Sequence, residues 1–221
     1  MTFYNKNLSF LLEENELKLS EFQKKVNILE QDILEPSIIH LIDIANYFKI
    51  SIDSLLKKDI QASHISDIQF LILDVDGTLT DGGMYFTENG DLMKKYNTKD
   101  GMAIKGLTKA GFQVGIISHS HQSKMVESRA TMLGIQNVFV GSGSKLDILD
   151  GWLKNLNMTR EQVAYVGDDI NDAEIMKVVG LSACPKDATK SIQEIADVIL
   201  EQDGGKACVR EFIDEHLTIT I

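Results

Sequence analysis

The chain predicts an α/β protein: a doubly wound parallel sheet with helices on both faces and a β-hairpin insertion, preceded by a small all-α domain. Three observations carry that prediction. Beyond Gln61-Ala62-Ser63-His64, where composition changes, short apolar runs alternate with amphipathic segments, the pattern of parallel strands joined by crossover helices. Two of those runs, Phe70–Leu73 and Val163–Val166, stop directly at glycine and carboxylates, as buried strands do where they meet a loop. Before the break, apolar residues recur instead at helical spacing. The division expected is residues 1–62 and 63–221 of the 221-residue chain, one catalytic-sized domain and a shorter unit.

In the first unit, Leu8, Leu11 and Leu12, then Leu19, Phe22 and Val26, share helix faces, and Ile38, Ile39, Leu41, Ile42, Ala45 and Phe48 follow. Ser20 before Glu21-Phe22 and Ser51 before Ile52 predict helix N-caps. The pattern resembles a Cro-type helix-turn-helix domain, most clearly from Pro36 to Leu56. Where a recognition helix would fall, Asn27 to Glu35 carries Glu30, Asp32 and Glu35 and no Lys or Arg. Reading bases and phosphates calls for donors and positive charge. The first sixty residues hold seven Lys and no Arg against ten carboxylates, a poor footprint for DNA. DNA binding is therefore not expected; packing or partner contact is.

The first strand, Phe70–Leu73, runs into Asp74-Val75-Asp76-Gly77-Thr78. In open parallel sheets ligands bind beyond the carboxyl ends of the strands, which places Asp74 at that edge and Asp76 on the loop leaving it. Two carboxylates so close repel unless a cation lies between them, and hard oxygen donors favour Mg²⁺. Asn89-Gly90 within Met84–Tyr96 then predicts the hairpin, because both central turn positions tolerate positive φ. Further strands are expected at Gln113–Ile117, Val138–Val140, Leu181–Ala183 and Val198–Leu200. Helices are expected at Met102–Lys109, Gln122–Leu133, Lys145–Asn155, Asp172–Val178, Ala188–Glu194 and Ala207–Glu215.

The run Val163–Val166 ends in Gly167-Asp168-Asp169-Ile170-Asn171-Asp172. A helix start favours an acid as a cap, yet three acids within five residues exceed what a cap requires. With Asp74 and Asp76 they make a divalent-metal site at one sheet edge.

Across Asp67 to Leu217 these residues resemble the haloacid dehalogenase superfamily of phosphohydrolases, with a Rossmann-like sheet. The four motifs of that superfamily occur in order: Asp74, Asp76 and Thr78; Ser118 ending the next strand; Lys145 opening a helix; and the acidic run Gly167 to Asp172. The resemblance implies metal ligation by Asp74, Asp168 and the backbone carbonyl of Asp76. Asp74 is then the nucleophile that becomes an aspartyl phosphate, and Asp76 the acid and base. Lys145 and Mg²⁺ relieve the repulsion of a phosphate dianion. Ser118 donates to the phosphoryl group, Thr78 orients the loop, and Asp169 and Asp172 hold the metal or its waters from behind.

Thr80-Asp81-Gly82, the hairpin, Tyr96–Met102 and Gly204–Glu211 narrow the resemblance to a capless branch. That branch contains 3-deoxy-D-manno-octulosonate 8-phosphate and acylneuraminate 9-phosphate phosphatases. It implies a homotetramer formed through the hairpins, with Lys99 and Lys206 near a sugar-acid carboxylate, where a cation is apt. After Ser118 many members carry Gly-Arg, whereas this chain has His119-Ser120-His121, which leaves eight- and nine-carbon substrates both open; His119 is a candidate substrate contact. The competing reading is a transcriptional regulator whose phosphatase-like domain senses a phosphosugar. A phosphotransferase or mutase on the same fold is a narrower one.

A net charge of −11 argues against nucleic acid or anionic membrane as partner. Two cysteines, an N-terminus interrupted early by Glu13, Glu14 and Glu16, and no long apolar run predict a reduced, cytoplasmic protein.

Overall fold

The computed structural model of the chain describes residues 3–57, 60, 68–88, 90–120 and 123–217. The expected boundary at 62/63, the turn residue Asn89, and His121 and Gln122 lie outside the described residues. The strands are β1 (Phe70–Leu73), β2 (Tyr85–Thr87), β3 (Gly90–Met93), β4 (Gln113–Ser118), β5 (Asn137–Val140), β6 (Val163–Val166), β7 (Leu181–Cys184) and β8 (Val198–Ile199). Six of them form one parallel sheet in the order β5-β4-β1-β6-β7-β8, and β2 and β3 pair antiparallel as the hairpin. The six expected sheet strands are present, each end within one residue of its prediction.

Helices cover both faces of the sheet. Leu71 and Leu73 of β1 pack with α6 (Thr98–Lys109), α7 (Ser123–Leu133) and α11 (Cys208–His216) through Ile104, Val126 and Phe212. Phe70 and Ile72 point the other way, towards Leu149 and Leu153 of α8 (Lys145–Leu156), Ile175 of α9 (Ala173–Met176) and Ile192 of α10 (Lys190–Gln193). Successive strand residues face opposite sides, so a strand buried on both faces reads as an unbroken apolar run. Helix α6 starts four positions before the expected Met102, because the Asn97 side chain accepts the Lys99 N–H at 2.8 Å and caps it there. The helix expected from Asp172 is split into a tight turn, Ile170–Asp172, and α9. Cys184 and Cys208 are unpaired and buried.

The N-terminal helices are α1 (Phe3–Glu14), α2 (Leu19–Val26), α3 (Glu30–Leu34), α4 (Ile38–Phe48) and α5 (Ile52–Lys57), around a core that includes Leu8, Phe22, Ile33, Ile44 and Leu55. Ser51 caps α5, its hydroxyl accepting the Ser54 N–H at 3.0 Å. Ser20 does not cap: α2 begins at Leu19 and Lys18 holds the cap position with no side-chain bond.

This unit docks on the outer edge of the sheet. The Ile199 N–H donates to the Lys49 carbonyl at 3.1 Å, which satisfies an edge-strand donor that would otherwise face solvent. Beside it, the fully buried Ser54 hydroxyl donates to Asp197 Oδ1 at 2.9 Å. The Ser182 N–H and hydroxyl donate to Asp197 Oδ2 at 2.9 and 2.7 Å. Lys49 also pairs with Glu201.

Candidate active site

The site lies where β1, β4 and β6 end. Asp74 follows β1 directly, its N–H donating to the Val166 carbonyl at 3.0 Å, so it continues the ladder with β6. The chain then coils tightly through Val75–Leu79. Gly77 permits that turn on two counts. Its φ is +90°, and a Cβ there would sit 2.0 Å from Asp168 Oδ2, far inside contact distance. The turn is backed by the Gly204-Gly205 segment: the Gly205 N–H donates to the Thr78 carbonyl at 2.9 Å.

A buried lysine organises the acids. Lys145, at the first position of α8 after the capping Ser144, has its Nζ 2.6 Å from Asp74 Oδ1, 2.5 Å from Asp172 Oδ1 and 3.2 Å from the Tyr165 hydroxyl. The Tyr165 hydroxyl donates to the same Asp172 oxygen at 2.5 Å. Asp172 Oδ2 accepts the backbone N–H groups of Asp168 at 2.9 Å and Asp169 at 3.2 Å. Both oxygens of Asp172 are thereby engaged in fixing the loop after β6. Asp168, half-buried, accepts the Thr78 hydroxyl at 3.3 Å.

Asp74, Asp168 and Asp172 each bring a carboxylate oxygen within 4.8 Å of the others. With one lysine among them the cluster is short of positive charge, and its titration reflects that. Burial, then the neighbouring Asp172, push Asp74 up to about 7 against the pull of Lys145. Burial, then Asp74 and Asp172, push Asp168 up to about 8. Burial disfavours the Lys145 charge, but Asp74 and Asp172 outweigh it and hold Lys145 above its ordinary value. Burial and the same carboxylates keep the Tyr165 hydroxyl protonated far above its usual range. A set of hard oxygen donors with unmet negative charge suits a divalent cation.

Asp76 leaves the cluster. Its carboxylate, on a side chain 40% exposed, is met at 2.5 Å by Lys94 Nζ, whose own side chain is 2% exposed. Lys94 stands just beyond β3, so the hairpin delivers a cation to the site, and sequence reasoning did not single it out. The only sequence signal was Lys94-Lys95 following the apolar Leu92-Met93. Tyr165 reads in sequence as one more apolar residue of β6, although its hydroxyl reaches Lys145 and Asp172.

Ser118 ends β4, two positions past the register partner of Leu73, and its hydroxyl accepts the Ser120 N–H at 3.2 Å. Asp169 is exposed and accepts the Ile170 N–H at 2.7 Å. His119 has one ring nitrogen 2.8 Å from the Gly143 carbonyl and the other 3.4 Å from Asn171 Nδ2. It thus ties three loops together at the rim. Next to it, Ser120, Ser123, Val140, Gly141, Ser142 and Gly143 line a cleft of about 520 Å³. Lys99 is exposed on the first turn of α6, and Lys206 is exposed and paired with Asp203 at 2.8 Å; among the described residues no hydrogen bond or ion pair joins either to the acid cluster.

Residues 118–211 match the family model for haloacid dehalogenase-like hydrolases. The chain is 39% identical over 148 residues to the 3-deoxy-D-manno-octulosonate 8-phosphate phosphatase KdsC of Escherichia coli, covering 67% of this chain and 78% of that one. The crystal structure of the Yersinia pestis 3-deoxy-D-manno-octulosonate 8-phosphate phosphatase superposes with a TM-score of 0.66 at 37% identity, over 70% of this chain and 82% of that one. That of the Moraxella catarrhalis enzyme, in complex with magnesium, phosphate and KDO, gives 0.65 at 29% identity, over 70% and 87%. The cobalt-bound Haemophilus influenzae phosphatase gives 0.65 at 35%, over 68% and 88%.

Proposed function

The chain belongs to the haloacid dehalogenase-like hydrolases and is a phosphatase related to KdsC, and from that premise we propose that it hydrolyses a sugar-acid phosphate with Mg²⁺ through a phosphorylated Asp74. The substrate class is 3-deoxy-D-manno-octulosonate 8-phosphate or a nine-carbon acylneuraminate 9-phosphate. The observation that carries this reading is the cluster of Asp74, Asp168 and Asp172 at the carboxyl edge of the sheet, with the buried Asp74 and Asp172 both held by Lys145.

Asp74, Asp168 and the backbone carbonyl of Asp76 would hold the metal, which when bound neutralises phosphate charge and admits a carboxylate nucleophile. Lys145 holds Asp74 Oδ1 at 2.6 Å, which orients the nucleophile and keeps a cation beside the incoming phosphoryl group. The free lone pairs of Asp74 attack phosphorus in line, and the bond to the sugar oxygen breaks. Asp76, two residues on and less buried, donates the proton to that leaving oxygen and later takes one from the water that attacks phosphorus, breaking the bond to Asp74 and releasing phosphate. Lys94 holds the Asp76 carboxylate beside the acid cluster, not within it, between these steps. Ser118 donates to the phosphoryl oxygens, and Thr78 fixes Asp168. Asp172 and Asp169 position the loop amides and the metal's waters.

Lys99, His119 and Lys206 are the proposed substrate-binding residues, the lysines for the sugar-acid carboxylate. The exposed Met84, Tyr85 and Met93 of the hairpin support a homotetramer built there, in which Lys99 and Lys206 of adjoining subunits complete the pocket. The helices of residues 1–62 form an accessory domain to the catalytic residues 63–221, in a protein of the cytoplasm. Among the described residues no helix is long and apolar enough to cross a membrane.

Phosphate release by the purified chain, measured across eight- and nine-carbon sugar-acid phosphates and simple sugar phosphates, tests the reading. Turnover of a sugar-acid phosphate well above the simple esters, abolished by EDTA and restored by Mg²⁺, is expected. Equal turnover of all esters, or full activity without metal, overturns it.

A further inference from the structure

The N-terminal helices carry a surface that neither their own core nor the sheet covers. Leu29, Leu34, Ile38, Ile39 and Ile42 are 66%, 52%, 76%, 69% and 41% exposed. All five belong to α3, α4 and the turns that bound α3. Ile38 and Ile42 are one turn apart on α4 and Ile39 lies beside Ile38, while Leu29 and Leu34 belong to α3 and its N-cap, across the break at Pro36-Ser37. The adjoining side of α4 is already covered: Ile44 and Ala45 are buried in the helical core, with Leu41 partly buried against it. The apolar stripe of α4 is thus wider than the core contact covers, and the remainder is the kind of exposed apolar surface that marks an interaction site.

The charges around this surface decide what can cover it. Between Val26 and Lys49 the chain carries Glu30, Asp32, Glu35 and Asp43 and no Lys or Arg. The cations of α2, Lys24 and Lys25, come just before, and Lys25 lies over the Tyr47 ring, towards the far end of α4 from Ile38. Glu30, Glu35 and Asp43 are exposed and Asp32 half-exposed. None of the four is in an ion pair among the described residues. An apolar centre with an acidic border repels nucleic acid, and a second copy would set acid against acid across a twofold axis. It complements an apolar stripe bordered by lysine or arginine. The surface is also free to receive one. The C-terminal end of α4 is anchored on β8 through Lys49, while Ile38, Ile39 and Ile42 sit in its N-terminal half, about 10–16 Å away along the helix.

We propose that the α3–α4 face is a protein-docking site whose partner is a basic amphipathic helix of another protein, laid with its apolar stripe on Ile38, Ile39 and Ile42 and its lysines or arginines against Glu30, Glu35 and Asp43. This site is independent of the phosphatase chemistry: its failure would leave the catalytic reading standing, and the reverse holds too.

The test uses the full chain and two labelled synthetic helical peptides with the same leucine heptads, one filled with lysine and one with glutamate. Binding is read by fluorescence anisotropy at physiological salt. The lysine peptide is expected to bind saturably, one per chain, and the glutamate peptide not to bind. The double variant Ile38→Ser/Ile39→Ser, and separately Glu30→Lys/Glu35→Lys, should each weaken binding at least about tenfold with phosphate release unchanged. These positions are exposed, so the fold should tolerate both variants. Met132→Ser, which removes an exposed apolar side chain on α7, should leave binding as it was. No binding of the lysine peptide, equal binding of the glutamate peptide, or equal weakening by Met132→Ser overturns the proposal. Sedimentation showing that Ile38→Ser/Ile39→Ser turns a larger assembly into a smaller one would also overturn it, by making a second copy the occupant.

Discussion

Replacing Lys145 with methionine isolates the charge that holds the site together. Methionine keeps the unbranched apolar stem that packs at the start of α8 and removes only the ammonium, which is shared by Asp74 at 2.6 Å and Asp172 at 2.5 Å and is almost wholly buried. Removing one partner of a buried ion pair costs about 3–5 kcal/mol, which for a chain of this size lowers Tm by about 6–20 °C. The loss depends on pH in a defined direction. Asp74 and Asp168 titrate at about 7 and about 8 when folded, against an ordinary 3.8. They bind protons more tightly folded than unfolded, so stability without metal falls as pH rises through that window. Lys145→Met removes the cation that opposes the rise at Asp74 and thereby extends the fall to higher pH, so its Tm deficit in EDTA should be larger at pH 8 than at pH 6. Mg²⁺ supplies the missing positive charge and should recover most of it. Turnover does not recover: losing one preorganised charge at the reacting phosphoryl costs about 10²–10³ in rate. Thermal melts at the two pH values, with EDTA or Mg²⁺, and phosphate release with Mg²⁺ read all of this. An unchanged Tm at pH 8 in EDTA, or turnover within about tenfold of wild type, would refute the role given to Lys145.

Asp76→Asn removes the proposed proton donor and base for water, so turnover should collapse while the protein accumulates a phosphoryl group on Asp74, visible by intact mass. Gly77→Ala forces a Cβ to within 2.0 Å of Asp168 at φ +90°; Mg²⁺ binding by calorimetry should be lost or severely weakened. Ser54→Val removes one donor to the buried Asp197 carboxylate at the junction with the sheet, which costs about 1.5–3 kcal/mol, the typical worth of a hydrogen bond to a charged group. The melt should stay a single transition at lower Tm with turnover per folded site unchanged, and two separate transitions would show that the helices and the sheet do not unfold together.

Much of this architecture is legible in the residues because a parallel sheet buried on both faces leaves unbroken apolar runs. β1 and β6 are placed to the residue, and their carboxyl ends hold Asp74 and Asp168 as expected. Lys145 was legible as a helix-start lysine in the right order of motifs. What escaped depends on direction rather than type. Lys94 reaches Asp76 only because the hairpin reverses the chain beside the site, and no local pattern states where its side chain lands. Tyr165 alternates out of an apolar strand towards the acids, and its hydroxyl finds Asp172 seven residues later in sequence. Asp172 looks like one more acid in a run until both its oxygens are seen to bind the loop amides, Tyr165 and Lys145. The cap at Asn97 was hidden because Asn97-Thr98 sits before any apolar periodicity. The exposed Lys99 and Lys206 show the opposite limit: a cation's charge can be read from sequence, but its partner cannot.

The most direct measurement is phosphate release by Asp74→Asn beside wild type, on the best sugar-acid phosphate and with saturating Mg²⁺. Asparagine keeps the size and one oxygen at the end of β1 but has no charge to attack phosphorus. The account predicts a fall of several orders of magnitude, on the order of other nucleophile deletions, with a folded protein by thermal melt and no phosphoryl group on the chain. Turnover above about a tenth of wild type would contradict it, because the reaction would then proceed without the residue around which the site is built.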